Sequence, residues 1–178
     1  QDEQKKIIKD KMSSVLNDRH EVSVIIPVYN NFVYTLRCVY SMMVSKDTTG
    51  FRLIIADDGS EDETERLFSN LEGVTYIKNP NNLGFLRSCN NAARSASGEY
   101  ILFLNNDTAV LDGWLDRLLE PFEGREDIGV VGSKLIYPDG LLQESGGILW
   151  ESGACNYGKL ADPDSTEYSY LRQVDYVS

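Results

Sequence analysis

Apolar residues along this chain recur in two periods, and the alternation between them sets the expected fold. Residues 21–27 (Glu-Val-Ser-Val-Ile-Ile-Pro) form a β-branched, almost wholly apolar run that predicts a strand. Pro27, with no N–H for a ladder, is expected to end it. Phe32, Leu36, Val39, Tyr40 and Met43 then follow at i, i+4, i+7, i+8 and i+11, the stripe of a helix packed on one face. The strand period returns at residues 51–56 and stops in Asp57-Asp58-Gly59-Ser60. Gly59 permits a tight turn. Ser60-Glu61-Asp62-Glu63 reads as a capping box for a helix running to Leu71.

The same grammar continues. Residues 74–79 predict a third strand, and Pro80-Asn81-Asn82-Leu83-Gly84 a loop of turn formers. A helix follows with Phe85, Cys89, Ala92, Ala93 and Ala96 inward, closed by Gly98. Residues 100–104 (Tyr-Ile-Leu-Phe-Leu) read as a strand buried on both faces and cut off by Asn105-Asn106-Asp107. A further helix is expected over 114–122, a buried strand over 128–132, and a continuation of the sheet over 134–137. Between 141 and 171 the chain is rich in Gly, Ser and Tyr with no helical stripe, which predicts loops and short strands. Residues 174–178 begin another strand-like pattern, so the chain is expected to be part of a longer protein. At the other end, residues 1–21 are highly charged, with Ile7, Ile8, Met12, Val15 and Leu16 at helical spacing. They predict either a helix on the flank of the domain or a linker. The whole is an α/β pattern, a mostly parallel sheet flanked by helices, whose right-handed crossovers bring successive strand ends to one edge.

Composition narrows the chemistry. A net charge of −11 on 178 residues argues against nucleic acid or an anionic membrane as the main partner. It also repels a phosphorylated substrate unless a divalent cation intervenes. No Gly-rich loop ending in Lys-Ser or Lys-Thr is present to bind phosphate instead, and no Gly-x-Gly-x-x-Gly follows a strand, which disfavours a dinucleotide oxidoreductase. His20 is the only histidine and lies outside every motif, so histidine-based acid–base or triad catalysis is nearly excluded. Cys38, Cys89 and Cys155 are widely spaced, and the first two sit among apolar neighbours as buried thiols, which fits a reducing compartment. No apolar run reaches the roughly 18 residues of a membrane span.

Three predicted strands end in polar clusters: Tyr29-Asn30, Asp57-Asp58 and Asn105-Asn106-Asp107. Ligands of open α/β sheets bind just beyond the carboxyl ends of the strands. A carboxylate flanked by amides is hard oxygen chemistry suited to Mg²⁺ or Mn²⁺. For each cluster taken singly, turn formation and helix capping are an alternative account. Three such clusters in successive β-α units are harder to explain by turn chemistry alone.

Val-Ser-Val-Ile-Ile-Pro-Val-Tyr-Asn-Asn (22–31), Asp-Asp-Gly-Ser-Glu-Asp-Glu-Thr (57–64), Asn-Leu-Gly-Phe (82–85) with Asn90, and Phe-Leu-Asn-Asn-Asp-Thr (103–108) closely resemble the family 2 glycosyltransferases. The stretch 132–147 is similar to rhamnosyl- and galactosyl-type members that build bacterial surface polysaccharides. The resemblance covers about residues 22–178. It implies a GT-A fold, with an α/β nucleotide-binding half followed by an acceptor half that is missing or incomplete here. It implies inverting transfer of a sugar from a nucleoside-diphosphate donor, such as a UDP- or dTDP-sugar, to a glycan or lipid-linked acceptor.

Carried over by motif, the resemblance places Pro27, Tyr29 and Asn30 in the nucleoside pocket. Asp58 becomes the base-recognising carboxylate with Asp57 beside it, and Asn82, Gly84 and Asn90 flank the cleft, with Arg87 as a weaker addition. Asn105 and Asn106 border the diphosphate, and Asp107 matches the last carboxylate of the Asp-x-Asp motif that holds Mg²⁺ or Mn²⁺. Asn105 stands where that motif has its first Asp. No general base is assigned, and it is expected beyond Ser178. The implied setting is the cytoplasm, with any membrane association coming through other parts of the parent protein. The alternatives are a non-catalytic binding or scaffold module of a multidomain synthase, and a nucleotidyltransferase. The latter lacks its basic Gly-rich loop here.

Overall fold

The structure, a computed structural model, describes residues 1–15, 21–150 and 153–175; the expectations for Leu16, His20 and residues 176–178 lie outside these. Two compact units follow one another, Gln1–Trp114 and Leu115–Ser178.

The first unit has the element order α1 (Asp2–Val15), β1 (Val22–Val28), α2 (Phe32–Val44), β2 (Phe51–Asp57), α3 (Thr64–Phe68), β3 (Val74–Lys78), α4 (Phe85–Ala93) and β4 (Tyr100–Phe103). The four strands form one parallel sheet in the order β3-β2-β1-β4. Val24, Ile25 and Ile26 of β1 and Leu53, Ile54 and Ile55 of β2 are fully buried, so these central strands are covered on both faces. Against one face α2 contributes Leu36 and Val39, which are fully buried, and Met43, which is nearly so.

Two strand expectations need correction. β1 does not end at Pro27 but runs one residue further, with Pro27 opposite Ala56 of β2. Ile25 offers its carbonyl to Leu104 on the β4 side, and Pro27, two residues on, points the same way. β4 pairs only as far as Ile25, so the missing N–H of Pro27 faces no strand. β4 itself is not buried on both faces. It lies at the end of the sheet, and Ile101 and Phe103 are 48% and 49% exposed. An apolar run shows that a strand is hydrophobic but not whether a second layer covers it.

Other differences are local. α4 ends at Ala93, and Phe85 at its first position is exposed rather than inward. The helix expected over 114–122 is an α-helix over Trp114–Leu119 followed by a 3₁₀ turn over Glu120–Phe122, where Pro121 breaks the α ladder. Residues 128–132 are not a strand, and Val130 is 71% exposed. Apolar β-branched residues form a strand only where a ladder partner exists, and among the described residues this stretch has none. Residues 135–136 pair within the second unit rather than continuing the parallel sheet.

That second unit carries α5 (Trp114–Leu119, entered from the last residue of the first unit) and two antiparallel pairs. β5 (Leu135–Ile136) pairs with β6 (Leu142–Glu144), and β7 (Gly147–Trp150) with β8 (Gly153–Asn156). Tyr157 and Tyr168 meet edge to face, and the Arg172 guanidinium lies 4.3 Å from the centre of the Tyr157 ring. The loops and short strands expected here are what the unit contains.

The charged lead forms the helix α1. α1 packs along α2 with Ile8 and Met12 almost fully buried. The Lys11 ammonium donates to the Met43 carbonyl at 2.8 Å, near the C-terminal end of α2 where carbonyls lack helical partners. Lys5 pairs with Glu63 at 3.3 Å and stands 5.2 Å from the centre of the Phe32 ring. We predict that Met12→Ala lowers unfolding free energy in urea by about 2–4 kcal/mol, the scale of a core truncation. A change within about 0.5 kcal/mol, as for a surface position, contradicts the docking of α1.

Candidate functional site

Because β1, β2 and β4 are parallel neighbours, their carboxyl ends lie along one edge of the sheet. β1 stands between the other two, so the Asp57-Asp58 and Asn105–Asp107 turns flank the Tyr29-Asn30 turn, each about one strand spacing, ~5 Å, to either side. The three clusters therefore line one edge. Hydrogen bonds between side chains and backbone fix each turn to its neighbours.

The turn after β1 places Asn30 and Asn31 at φ 55° and 59°, the left-handed region that asparagine tolerates best after glycine. The turn after β2 holds it there. The Asn30 N–H donates to Ser60 Oγ at 2.8 Å, the Glu61 N–H donates to Asn30 Oδ1 at 3.0 Å, and the Phe32 N–H donates to Asp62 Oδ2 at 2.8 Å. Ser60 is thus not the cap of α3. Asp62 instead meets the first residue of that helix, its Oδ1 accepting the Thr64 N–H at 3.0 Å and also the Thr64 hydroxyl. One carboxylate so organises the first turns of two helices. Desolvation pushes the Asp62 pKa up, but the bonds from the Thr64 hydroxyl and the Phe32 and Thr64 amides outweigh it and hold the group below the usual aspartate range. Sequence reading missed Asp62 because the capping-box pattern drew attention to Ser60.

Asp57 and Asp58 face different partners. Asp57 is fully buried; its Oδ1 accepts the Ser60 N–H at 2.7 Å and its Oδ2 the Tyr76 hydroxyl. Burial and the adjacent Asp57 charge raise the Tyr76 pKa far above the usual tyrosine range, so the phenol stays a donor. Asp58 is 4% exposed. Its Oδ1 accepts Asn79 Nδ2 at 2.8 Å and the Leu83 N–H at 2.9 Å, and its Oδ2 accepts the Gly84 N–H at 2.8 Å. Asn79 in turn donates to Ser88 Oγ at 3.2 Å and accepts from Asn91 Nδ2 at 2.9 Å. Residues 79–84 are therefore drawn onto the end of β2. Gly59 is needed for this fit: it has φ 87°, and a Cβ there would lie 3.2 Å from the Asn81 carbonyl carbon. Asn79, buried at the hub, carries no motif that would have identified it.

Beyond β4 the chain turns tightly, with the Thr108 N–H and hydroxyl both donating to the Asn105 carbonyl, at 3.3 and 2.7 Å. Three side chains of α2 reach this turn. Thr35 Oγ1 accepts Asn106 Nδ2 at 3.0 Å, the Cys38 thiol donates to the Asn105 carbonyl at 3.6 Å, and Ser41 Oγ accepts the Val110 N–H at 3.0 Å. Burial pushes the Cys38 thiol up to about 12, so it remains a protonated donor. Asp107 is exposed and has no hydrogen-bond or ion-pair partner among the described residues.

The other expected site residues lie at the end of β1, in the loop that follows β3 and on α4. Tyr29 is 51% exposed, Pro27 is half-buried, and Asn82 Oδ1 accepts the Gly84 N–H at 3.0 Å. Gly84 ends the loop held by Asp58, and Arg87 and Asn90 follow, exposed, on α4. No group of three or more His, Cys, Asp or Glu side chains fit to hold a metal occurs among the described residues. No helix among them is long and apolar enough to cross a membrane.

The family model described as Glycosyl transferase family 2 matches residues 23–168. The chain belongs to that family. Among its relatives, the O-antigen biosynthesis protein RfbC of Myxococcus xanthus is 32% identical over 139 residues, 75% of this chain and 11% of that protein. The GalNAc(5)-diNAcBac-PP-undecaprenol beta-1,3-glucosyltransferase of Campylobacter jejuni is 32% identical over 130 residues, 70% of this chain and 41% of that protein. This family 2 chain thus spans less than half the length of these relatives. The crystal structure of S. aureus TarS 1–349 superposes with a TM-score of 0.50 at 23% identity, covering 64% of this chain and 39% of that one. At that identity the likeness bears on the fold, and it agrees with a GT-A-like α/β architecture.

The lowered pKa of Asp62 sets a pH dependence. Its contribution to stability is complete above the unfolded aspartate value near 4 and is lost as pH falls through the lower folded value. Asp62→Ala is expected to cost about 1 kcal/mol at pH 7 and much less at pH 2.5. Urea unfolding at the two pH values measures this, and an equal loss at both contradicts it.

Proposed function

We propose that this domain binds the nucleoside-diphosphate sugar donor of an inverting glycosyltransferase that acts in surface-polysaccharide synthesis. The observation that carries the reading is Asp107, a carboxylate that is exposed and without a hydrogen-bond or ion-pair partner among the described residues, at the same strand edge where Asp57 and Asp58 are buried and hydrogen-bonded. Membership of family 2, and relatives named for O-antigen synthesis and glucosyl transfer, support it. A second crystal structure of TarS 1–349, with the same TM-score of 0.50, is in complex with UDP-GlcNAc, which makes a uridine donor the first to test.

In this reading the exposed Tyr29 stacks on the base. Asp58 uses three of the roughly four acceptor positions of a carboxylate on its own loop, and the remaining one, on Oδ2, accepts the N3–H of a uracil or thymine. Asp57, with both oxygens engaged inside the core, acts through the Ser60 turn rather than by contact. Asn30, Asn82, Gly84 and Asn90 shape the walls.

The donor set at the end of β4 suits Mg²⁺ or Mn²⁺ held jointly with a substrate. Asp107 supplies one charged oxygen and the exposed Asn105 a neutral one, too few for a site made by protein alone but sufficient when diphosphate oxygens and water complete the shell. Bound there with the substrate, such a cation would supply positive charge to offset that of the diphosphate. The chain's own residues bind the nucleoside and orient the diphosphate along the edge. None of them is assigned the role of base. The buried thiols Cys38 and Cys89 suit the reducing cytoplasm.

Calorimetric titration of the folded protein with UDP, dTDP and GDP, with and without Mn²⁺, tests the reading. Heat is expected for a pyrimidine nucleotide with Mn²⁺, and Asp107→Ala is expected to weaken that affinity about tenfold or more, the scale of one charge-assisted contact. Absence of binding by any of the three nucleotides overturns it.

A further inference from the structure

Asp107 is exposed and without a hydrogen-bond or ion-pair partner among the described residues, yet the turn that carries it is held by α2. Three polar side chains at positions 35, 38 and 41 of that helix, spaced i, i+3, i+6, form a row along one face. Each meets a different part of residues 105–110: the Asn106 side chain, the Asn105 carbonyl and the Val110 N–H. The row interrupts a helix whose neighbouring inward positions, Leu36, Val39 and Met42, are apolar. Thr35 is fully buried, and a valine of the same shape would pack there equally well by size. The hydroxyl has a use that packing does not explain.

We propose that Thr35 is a positioning residue for the donor's diphosphate, acting through Asn106. Asn106 is the anchor of the turn rather than a ligand: its Nδ2 is committed to Thr35 Oγ1, and the side chain is half-buried against α2. With Asn106 drawn inward and the Asn105 carbonyl taken by Cys38 and Thr108, the next side chain, Asp107, is left facing solvent. α2 begins directly after Asn30-Asn31, so the same helix joins the Asp107 turn to the nucleoside side of the edge. The helix sets the spacing between the two ends of the ligand. The consequence rests on the donor-binding reading given above; the anchoring itself does not.

The test uses Thr35→Val, Thr35→Ser and Asn106→Ala in the full chain, read in two ways. Amide hydrogen exchange at Thr108 and Val110 reports the hold on the turn without any ligand. It is expected to accelerate in Thr35→Val and Asn106→Ala and to stay at the wild-type rate in Thr35→Ser, which keeps the hydroxyl. Calorimetry compares UDP with Mn²⁺ against uridine without metal. Thr35→Val and Asn106→Ala are each expected to weaken UDP–Mn²⁺ binding about five- to tenfold, the scale of one hydrogen bond, with the double variant no weaker than either single one. Uridine affinity and thermal midpoint should stay near wild type.

Unchanged exchange in both Thr35→Val and Asn106→Ala overturns the anchor, and faster exchange with unchanged UDP–Mn²⁺ affinity overturns its consequence. An equal loss of uridine binding marks a general structural role and overturns the proposal as well. Should the wild-type protein bind neither ligand, the donor-binding reading fails while the exchange arm still decides the anchor.

Discussion

A buried carboxylate at the end of β2 is the constraint on which the working edge depends. Asp58 is almost wholly removed from water, and a charge in that position is tolerable only if its oxygens are met by donors. The chain meets them with two backbone amides and the Asn79 side chain, all from residues 79–84. A loop of turn formers with no regular structure thereby acquires one position. Removing the carboxylate takes the partner from the Leu83 N–H and leaves the Gly84 N–H with Asn82 Oδ1 alone, and removing the loop leaves a buried charge. Each needs the other, so the arrangement is held by the cost of leaving either unsatisfied.

The same logic extends along the edge in both directions. Asp57 ties the Ser60 turn to Tyr76 on β3, Ser60 and Asp62 tie the turn after β1 to the turn after β2, and α2 ties the Asp107 turn to itself. Amides and acids that suggest ligand contacts when read singly are mostly engaged with one another. Asp107 differs from them in being free to meet a ligand. The lead helix α1 joins the scheme from outside the matched family region 23–168, through Lys5 on Glu63 and over Phe32 at the starts of α3 and α2.

Much of the fold was legible because parallel strands and helix stripes are local patterns: the stripe of Phe32, Leu36, Val39 and Met43 and the apolar runs of β1 and β2 appear as expected. What was not legible depends on partners remote in sequence. Whether residues 100–104 are covered, whether 128–132 find a neighbour, and whether Pro27 can lie inside a strand are decided by the sheet order. At the site, the motif positions were found, but their division of labour was not. Ser60 bonds to Asn30 across 30 residues and Asn106 to Thr35 across 71, pairings that no spacing within a motif encodes. Asn79 was overlooked for the same reason, since a lone asparagine before a turn has nothing local to mark it as a hub.

The central claim is that three strand ends serve one ligand. The most direct measurement is a two-dimensional NMR titration of isotope-labelled protein with UDP and Mg²⁺, followed by replacement of Mg²⁺ with a trace of Mn²⁺. The account predicts shifts at Tyr29–Asn30, at residues 58–60 and at residues 105–108 with a common dissociation constant. It also predicts that Mn²⁺ broadens Asp107 and its neighbours first. Shifts confined to one of the three turns, or broadening centred away from Asp107, contradict it.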